Sequence, residues 1–499
     1  MSRAFWLSTA AAALLLAQPA WSQISVVNMI PQTESNEENQ DSEPHLAVDK
    51  ADPSRMAGTA FTPVLPGAGD LAPLFVSLDG GLTWNQNSII PSAIDSDTGT
   101  RDITIGFGGT GHLLYLSLIR DHPGFPDDVE TQVYRTSDLA AVPALIGTRA
   151  CSDPETCPDL PWIQAATVLG GKDAGKDRAW VAMNDLTVKP QSASIFQSLD
   201  AGIPAPVFDP VVVEKRGTDP QDAPAVRVAI HPNGTTYSLF NHWLSFPCNT
   251  EDLNGNCLAG NANADVVVVR DDAWGAGGPP PYEAVKDSVD TLAGQRVVTN
   301  IKVPWRVGGF LAGQRLGAGD LSIAVDPRNS NTVYIVYSDT PVNENTHNLH
   351  LRRSLDGGQS WSMSDLLLVT KGKNPALAIN SHGVVGFLYQ QVTASNRWET
   401  HFRRSPNGSM WDDTILANVS AGIGAPGVQF QPYLGDYDFL TAVGKSFYGV
   451  FSTANNPDPA SFPAGVIFQR NVNPSPAPHL VRLDGTTSVN PSIDPFFVR

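Results

Sequence analysis

The fold this sequence predicts is all-β: a single β-propeller, a ring of four-stranded antiparallel blades, with seven blades favoured over six. Three observations lead to it. The 499 residues include 43 Gly and 40 Pro with only 41% hydrophobic residues, and no amphipathic helix follows the first segment, which suits many short strands joined by turns. An octapeptide occurs twice, Ser77-Leu-Asp79-Gly-Gly81-Leu-Thr-Trp84 and Ser354-Leu-Asp356-Gly-Gly358-Gln-Ser-Trp361. Each copy lies between extended apolar runs, as a hairpin turn does. An apolar strand with a small central residue recurs in phase with it, since Ala47 precedes Asp79, and Ala324 precedes Asp356, by the same 32 residues.

Along the chain, residues 1–22 read as a secretory signal: Arg3, an apolar run from Ala10 to Ala17, and the small residues Ala20 and Ser22 at a cleavage site. That run is too short to span a bilayer. Residues 23–42 are expected to form an acidic leader with a possible closing strand, of which residues 33–42, with Glu34, Glu37, Glu38 and Asp41, read as disordered. Residues 43–499 are expected to form the propeller with a C-terminal tail. Its blades fall at about 43–95, 100–150, 157–216, 220–290, 318–371, 373–420 and 430–475, each roughly fifty residues, the size of one blade. Small central residues suit the innermost strands, which crowd the axis. Because an open ring leaves exposed strand edges, either Ile24–Asn28 or His479–Leu483 is expected to close it.

A formal net charge of −18 with 16% charged residues argues against nucleic acid or an anionic membrane as partner. Export to an oxidising compartment, outside the cell or in a periplasm, makes two small disulfides the natural use of four cysteines in two close pairs. Cys151 is expected to bond Cys157, and Cys248 to bond Cys257. A monomer is expected.

The spelling S-x-D-x-G-x-[ST]-W in both octapeptides resembles the Asp-box of the sialidase superfamily of β-propellers. The resemblance implies the propeller fold for nearly the whole mature chain. It also implies that Ser77, Asp79, Gly81, Trp84, Ser354, Asp356, Gly358 and Trp361 are structural, because the Asp-box of those families lies away from the active site. Active members are similar to one another in a Y/F-R-I-P start, an Asp acid/base and a Tyr nucleophile with a Glu partner. No R-I-P occurs here. Tyr433 and Tyr437, at the start of the last blade, stand where such a nucleophile would.

Ligand chemistry belongs where the chain enters the innermost strands, on the face opposite the octapeptides. Glu43, Asp102, Asp320 and Asp438 each stand four residues before a small central residue, an even offset that keeps them on one side of their strands. Converging acids would bind a cation, raise one another's pKa or pair with arginine. No motif requires a cofactor, no metal site is assigned, and calcium is the cation that such acids would take. Arg101 and Arg227 are near enough in sequence to pair with them. The long connection from Ser288 to Gly319 brings Trp305, Arg306 and Arg315 as further ligand-binding candidates. Two functions remain open. One is a propeller that binds extracellular glycan, protein or cation at its channel mouth without standard sialidase chemistry. The other is a glycoside hydrolase with Tyr437 or Tyr433 as nucleophile and Glu43 or Asp102 as acid/base.

Overall fold

A computed structural model describes residues 24–62, 71–91, 101–109, 112–122, 125–151, 157–188, 192–217, 225–251, 257–278, 280–306, 320–341, 347–420 and 434–499. The expected signal segment lies outside the described residues. Seven antiparallel sheets form a ring. Blade 1 spans residues 42–91, blade 2 residues 103–149, blade 3 residues 158–212, blade 5 residues 322–370 and blade 6 residues 372–420, each with four strands in chain order. Each innermost strand packs beside those of its two neighbours, and blade 7 returns to blade 1. Helical structure among the described residues is limited to three-residue 3-10 turns. None of it is long and apolar enough to cross a membrane.

Two blades depart from the expected boundaries. Blade 4 is built from Val226–Ile230, Thr236–Ser245, Cys257–Asp271 and Gln295–Arg306, with Cys248–Glu251 as an extra short strand. Residues 295–306 of the connection expected as a loop from Ser288 to Gly319 are thus the outer strand of this blade. Its long apolar partner, including Val266-Val-Val-Val269, needs a covering strand. Blade 7 takes Phe439–Val443 and Ser446–Ala454 from the last repeat, Ile493–Val498 from the C-terminus, and Val26–Asn28 from the N-terminus as its outer edge. Val26 pairs with Val498 and Asn28 with Phe496. Of the two closing candidates, therefore, the N-terminal strand closes the ring, while His479–Leu480 pairs with Val472–Asn473 in a separate hairpin.

The segment expected as a disordered leader is folded. Asp41 is buried and its N–H bonds to the Ile493 carbonyl at 2.8 Å. Arg470 donates to Glu37 at 2.7 Å and to Asp494 at 3.1 Å, which anchors the acidic stretch across the closing seam.

Both octapeptides close themselves in the same way. Asp79 Oδ1 accepts from the N–H groups of Leu82 and Thr83, both at 3.0 Å, and Ser77 Oγ accepts from the Gly81 N–H at 2.8 Å. Asp356 and Ser354 do the same for Ser360 and Gly358. The glycines at 80, 81, 357 and 358 have φ between +76° and +88°, the left-handed region that costs glycine least. Gly80 and Gly357 donate to the loops joining the two inner strands, at Ser54 and Asn331. Both turns therefore lie on one face, hereafter the box face. Trp84 is fully buried, edge-on to Phe497 at 5.3 Å in the closing seam. Trp361 is only partly buried, with its Nε1 donating to Gly358 O at 3.3 Å. No closing seam crosses its blade.

Candidate functional site

The opposite face, where the chain enters each innermost strand, is the inlet face. Three blades carry the same irregularity there. Glu43, Leu160 and Asn374 have φ of 52°, 50° and 53°, and each precedes a proline, Pro44, Pro161 or Pro375. Pairing with the second strand slips at each place. A bulge of this kind re-aims side chains, and left-handed non-glycine residues store strain that the surroundings must hold. Around Glu43 the holding is visible: its Oε1 accepts from the Asp436 N–H at 3.2 Å. Gly435, with φ of 85°, lies so close that a Cβ there would stand 2.6 Å from the Glu43 nitrogen.

One group of side chains forms from five blades. Glu43 of blade 1 hydrogen-bonds Asp102 of blade 2. The Arg227 guanidinium of blade 4 lies 4.0 Å over the ring of Trp162 in blade 3. Tyr437, entering blade 7, meets Trp162 edge-on at 5.5 Å and is buried, and its hydroxyl has no hydrogen-bond partner among the described residues. His45 is buried between Trp162 and Phe439, at 4.8 and 3.9 Å, with Nδ1 accepting from the Ile105 N–H at 3.2 Å.

A second group adjoins it. Asp320 Oδ1 accepts from the Asn374 N–H at 2.7 Å, and its Oδ2 pairs with His347 at 2.6 Å. The fully buried Lys373 ammonium stands 3.9 Å from Asp320 and 4.0 Å from Asp436, linking the two groups. Asp438 accepts from the Ser452 N–H at 3.2 Å and lines a central cavity of about 170 Å3 together with Trp162 and Arg227.

The electrostatics follow from burial. Burial, then Asp159 and Asp436, push the Asp102 carboxyl up to about 7 against the pull of its bond to Glu43 and of Arg227. Burial, with Asp102 and Glu43 next, raises the Tyr437 phenol well above its ordinary range. Burial lowers the Arg227 guanidinium to about 10 and lowers His45, with Arg227 adding to the effect. Burial also raises Asp438.

Of the expected acids, then, Glu43 and Asp102 meet beside Tyr437. Asp320 joins them only through Lys373 and Asp436, and Asp438 faces the channel. Arg101 is partly buried at the start of blade 2. Arg306 and Trp305 end the outer strand of blade 4, and their side chains lie outside the described residues, as do Arg315 and Tyr433. Cys151 and Cys157 are bonded. The side chains of Cys248 and Cys257 lie outside the described residues. The mouth acids are answered by Arg227, Lys373 and His347 rather than grouped for a cation. A cluster of carboxylates within ligand distance of one another occurs instead at Glu37, Asp41 and Asp494, where Arg470 already donates. Sequence reasoning missed His45, Trp162, Lys373 and Asp436. The proline after each strained residue, in Glu43-Pro-His45 and Asp159-Leu-Pro-Trp162, is the signal that could have found the first two.

No protein-family model and no curated protein matches the chain. Among solved structures it is similar to an α-L-arabinofuranosidase of Fusarium graminearum at 11% identity and a TM-score of 0.43, covering 95% of this chain and 97% of that one. It is similar to an ulvan lyase at 11% identity and a TM-score of 0.46, over 83% and 92% of the two chains. The endosialidase of phage phi92 follows at 10% identity and a TM-score of 0.39, over 96% and 69%. At these values function has to be read from the site's own residues. The β-propeller fold, with both octapeptide turns on one face, is what the resemblance to the sialidase superfamily implies, and the count of seven blades is this chain's own.

Proposed function

We propose that the inlet-face mouth binds a neutral carbohydrate, and that Asp102 with Glu43 forms its proton-exchanging acid pair. The observation that carries this is the meeting of Glu43, Asp102, Trp162, Arg227 and Tyr437 at one buried point. Sugar hydroxyls need closely spaced donors and acceptors beside an aromatic wall. Here the phenol, the guanidinium and the proton shared within the Asp102–Glu43 pair donate, and the remaining oxygens of that pair accept. Acids outnumber bases among the described residues of the mouth, which disfavours a carboxylated sugar. The Cys151–Cys157 disulfide supports an exported protein, secreted or periplasmic.

One observation favours a hydrolytic version of the same reading. A carboxyl that keeps its proton near neutrality can protonate a leaving glycosidic oxygen. Glu43, hydrogen-bonded to Asp102, is too close to serve as the paired nucleophile, because retaining pairs stand roughly 5 Å apart. Tyr437 is no better suited, since burial and its acidic neighbours hold the phenol neutral. The test is calorimetric titration with a panel of neutral and acidic oligosaccharides, alongside turnover of fluorogenic glycosides. Binding of a neutral sugar that is lost in Tyr437→Phe and Asp102→Asn is expected. Absence of both binding and turnover across the panel would refute the proposal.

A further inference from the structure

The box face carries a second concavity. At the far ends of the innermost strands of blades 1 to 4, a cavity of about 340 Å3 is lined by Lys50, Gln164, Leu169, Ile230, His231 and Trp274. Its volume falls at the lower end of the roughly 300–1,000 Å3 of small-molecule sites. Lys50 also lines the central cavity, so the two spaces meet at its side chain.

The lining has a definite chemistry. Leu169, 69% exposed, together with Ile230, Pro232 and the partly exposed Trp274, forms an apolar wall. Trp274 is fixed in place: its N–H donates to Gly234 O at 2.7 Å, and its indole lies against Gly234, where a Cβ would come within 2.1 Å of Nε1. His231 Nδ1 accepts from the Asn233 N–H at 3.1 Å, which leaves the proton of the neutral ring on Nε2, and that atom is buried without a hydrogen-bond partner. The Lys50 side chain is exposed within the concavity and has no acidic partner among the described residues. Its neighbour Asp49 is already engaged by His112. Enclosure by the surrounding strands, with no countercharge, lowers the Lys50 ammonium from its ordinary range. In a chain of net charge −18, a lone ammonium in an apolar-walled cavity is open to an anion.

We propose that this box-face cavity is a binding site for a small carboxylate with an apolar or aromatic body, its carboxylate on Lys50 and its body against Trp274 and Leu169. A single ammonium with one imidazole N–H suits a monoanion. The flat indole suits a planar ring.

The probes are phenylacetate and its neutral isostere phenylacetamide, titrated calorimetrically into the whole protein and followed by tryptophan fluorescence. Phenylacetate is expected to bind with a Kd of order 1 mM or tighter, and phenylacetamide at least tenfold more weakly. Lys50→Met should weaken phenylacetate at least tenfold and leave the amide unchanged, while Lys50→Arg should retain binding. Lys50 is exposed, so both variants should fold, which unchanged thermal unfolding would verify. Phenylacetate binding should also decline as pH rises through the titration of Lys50, below the usual lysine range. The proposal is overturned if phenylacetate does not bind, if the amide binds equally well, or if Lys50→Met binds like the parent.

Discussion

Asp102→Asn should make this protein more stable at pH 8 and change it little at pH 4. In the unfolded chain the carboxyl titrates near its ordinary 3.8, and in the folded chain near about 7. Below 3.8 both states hold the proton, and the group contributes nothing to the pH dependence. As pH rises from there towards about 7, the unfolded chain releases the proton while the folded chain keeps it, so stability falls until both states are ionised. A displacement of about three pH units at 1.36 kcal/mol each sets an upper bound of about 4 kcal/mol. Asp102 is partly accessible and shares its proton with Glu43, which reduces the expected figure to about 2 kcal/mol. Asparagine removes the penalty and keeps a hydrogen-bonding partner for Glu43. Urea unfolding at both pH values measures the difference. If Asp102→Asn destabilises equally at pH 4 and pH 8, the carboxyl is not held protonated by its surroundings, and its role as a proton donor falls with it.

Trp84→Ala should cost about 3–5 kcal/mol, as deletion of a fully buried large aromatic does, whereas Trp361→Ala, partly exposed, should cost about 1–2 kcal/mol; equal losses in denaturant midpoints would contradict the difference in burial. Gly435→Ala combines a φ of 85° with a Cβ set against Glu43 and should lose about 2–3 kcal/mol and shift Glu43. Retention of parental carbohydrate affinity in that variant would show that Glu43 is not positioned by the glycine. Lys373→Met strips Asp320 and Asp436 of a buried counter-ion and should cost about 3–5 kcal/mol, with part of the loss recovered on adding Asp320→Asn. A loss under 1 kcal/mol would mean that other groups balance those acids.

The ring was legible because its signals are local. An octapeptide that satisfies its own backbone with Asp79 or Asp356 and Ser77 or Ser354 is written in eight consecutive residues, and the phase between turn and inner strand repeats along the chain. What depends on distant pairing was harder to read. Ile493–Val498 carries no octapeptide and follows a long excursion, so nothing nearby marks it as a blade strand. The outer strand Gln295–Arg306 mixes polar and apolar residues because it covers only one side of blade 4. At the site, the common offset of Glu43, Asp102, Asp320 and Asp438 was visible in the sequence. Arg227 was marked as a partner by its place in the sequence, but Lys373 was not: it stands at the start of its strand as an ordinary polar residue, and only the closed ring brings it opposite acids of other blades.

That convergence explains why the mouth has the character it does. In a ring of repeats, the same position on every blade faces the axis, so a polar residue that merely begins one strand is brought close to its counterparts on the others. Seven acids would repel one another and open the mouth. This chain instead places Arg227 at the start of blade 4, Lys373 at the start of blade 6 and His347 beside Asp320, while Asp102 and Asp438 are pushed towards their neutral forms by burial. The charges left over are few and the protonated groups many, which favours a ligand rich in hydroxyls over an ion of either sign. The box-face cavity differs, its lining holding the Lys50 cation and no carboxylate, so the two ends of the same channel are suited to different ligands.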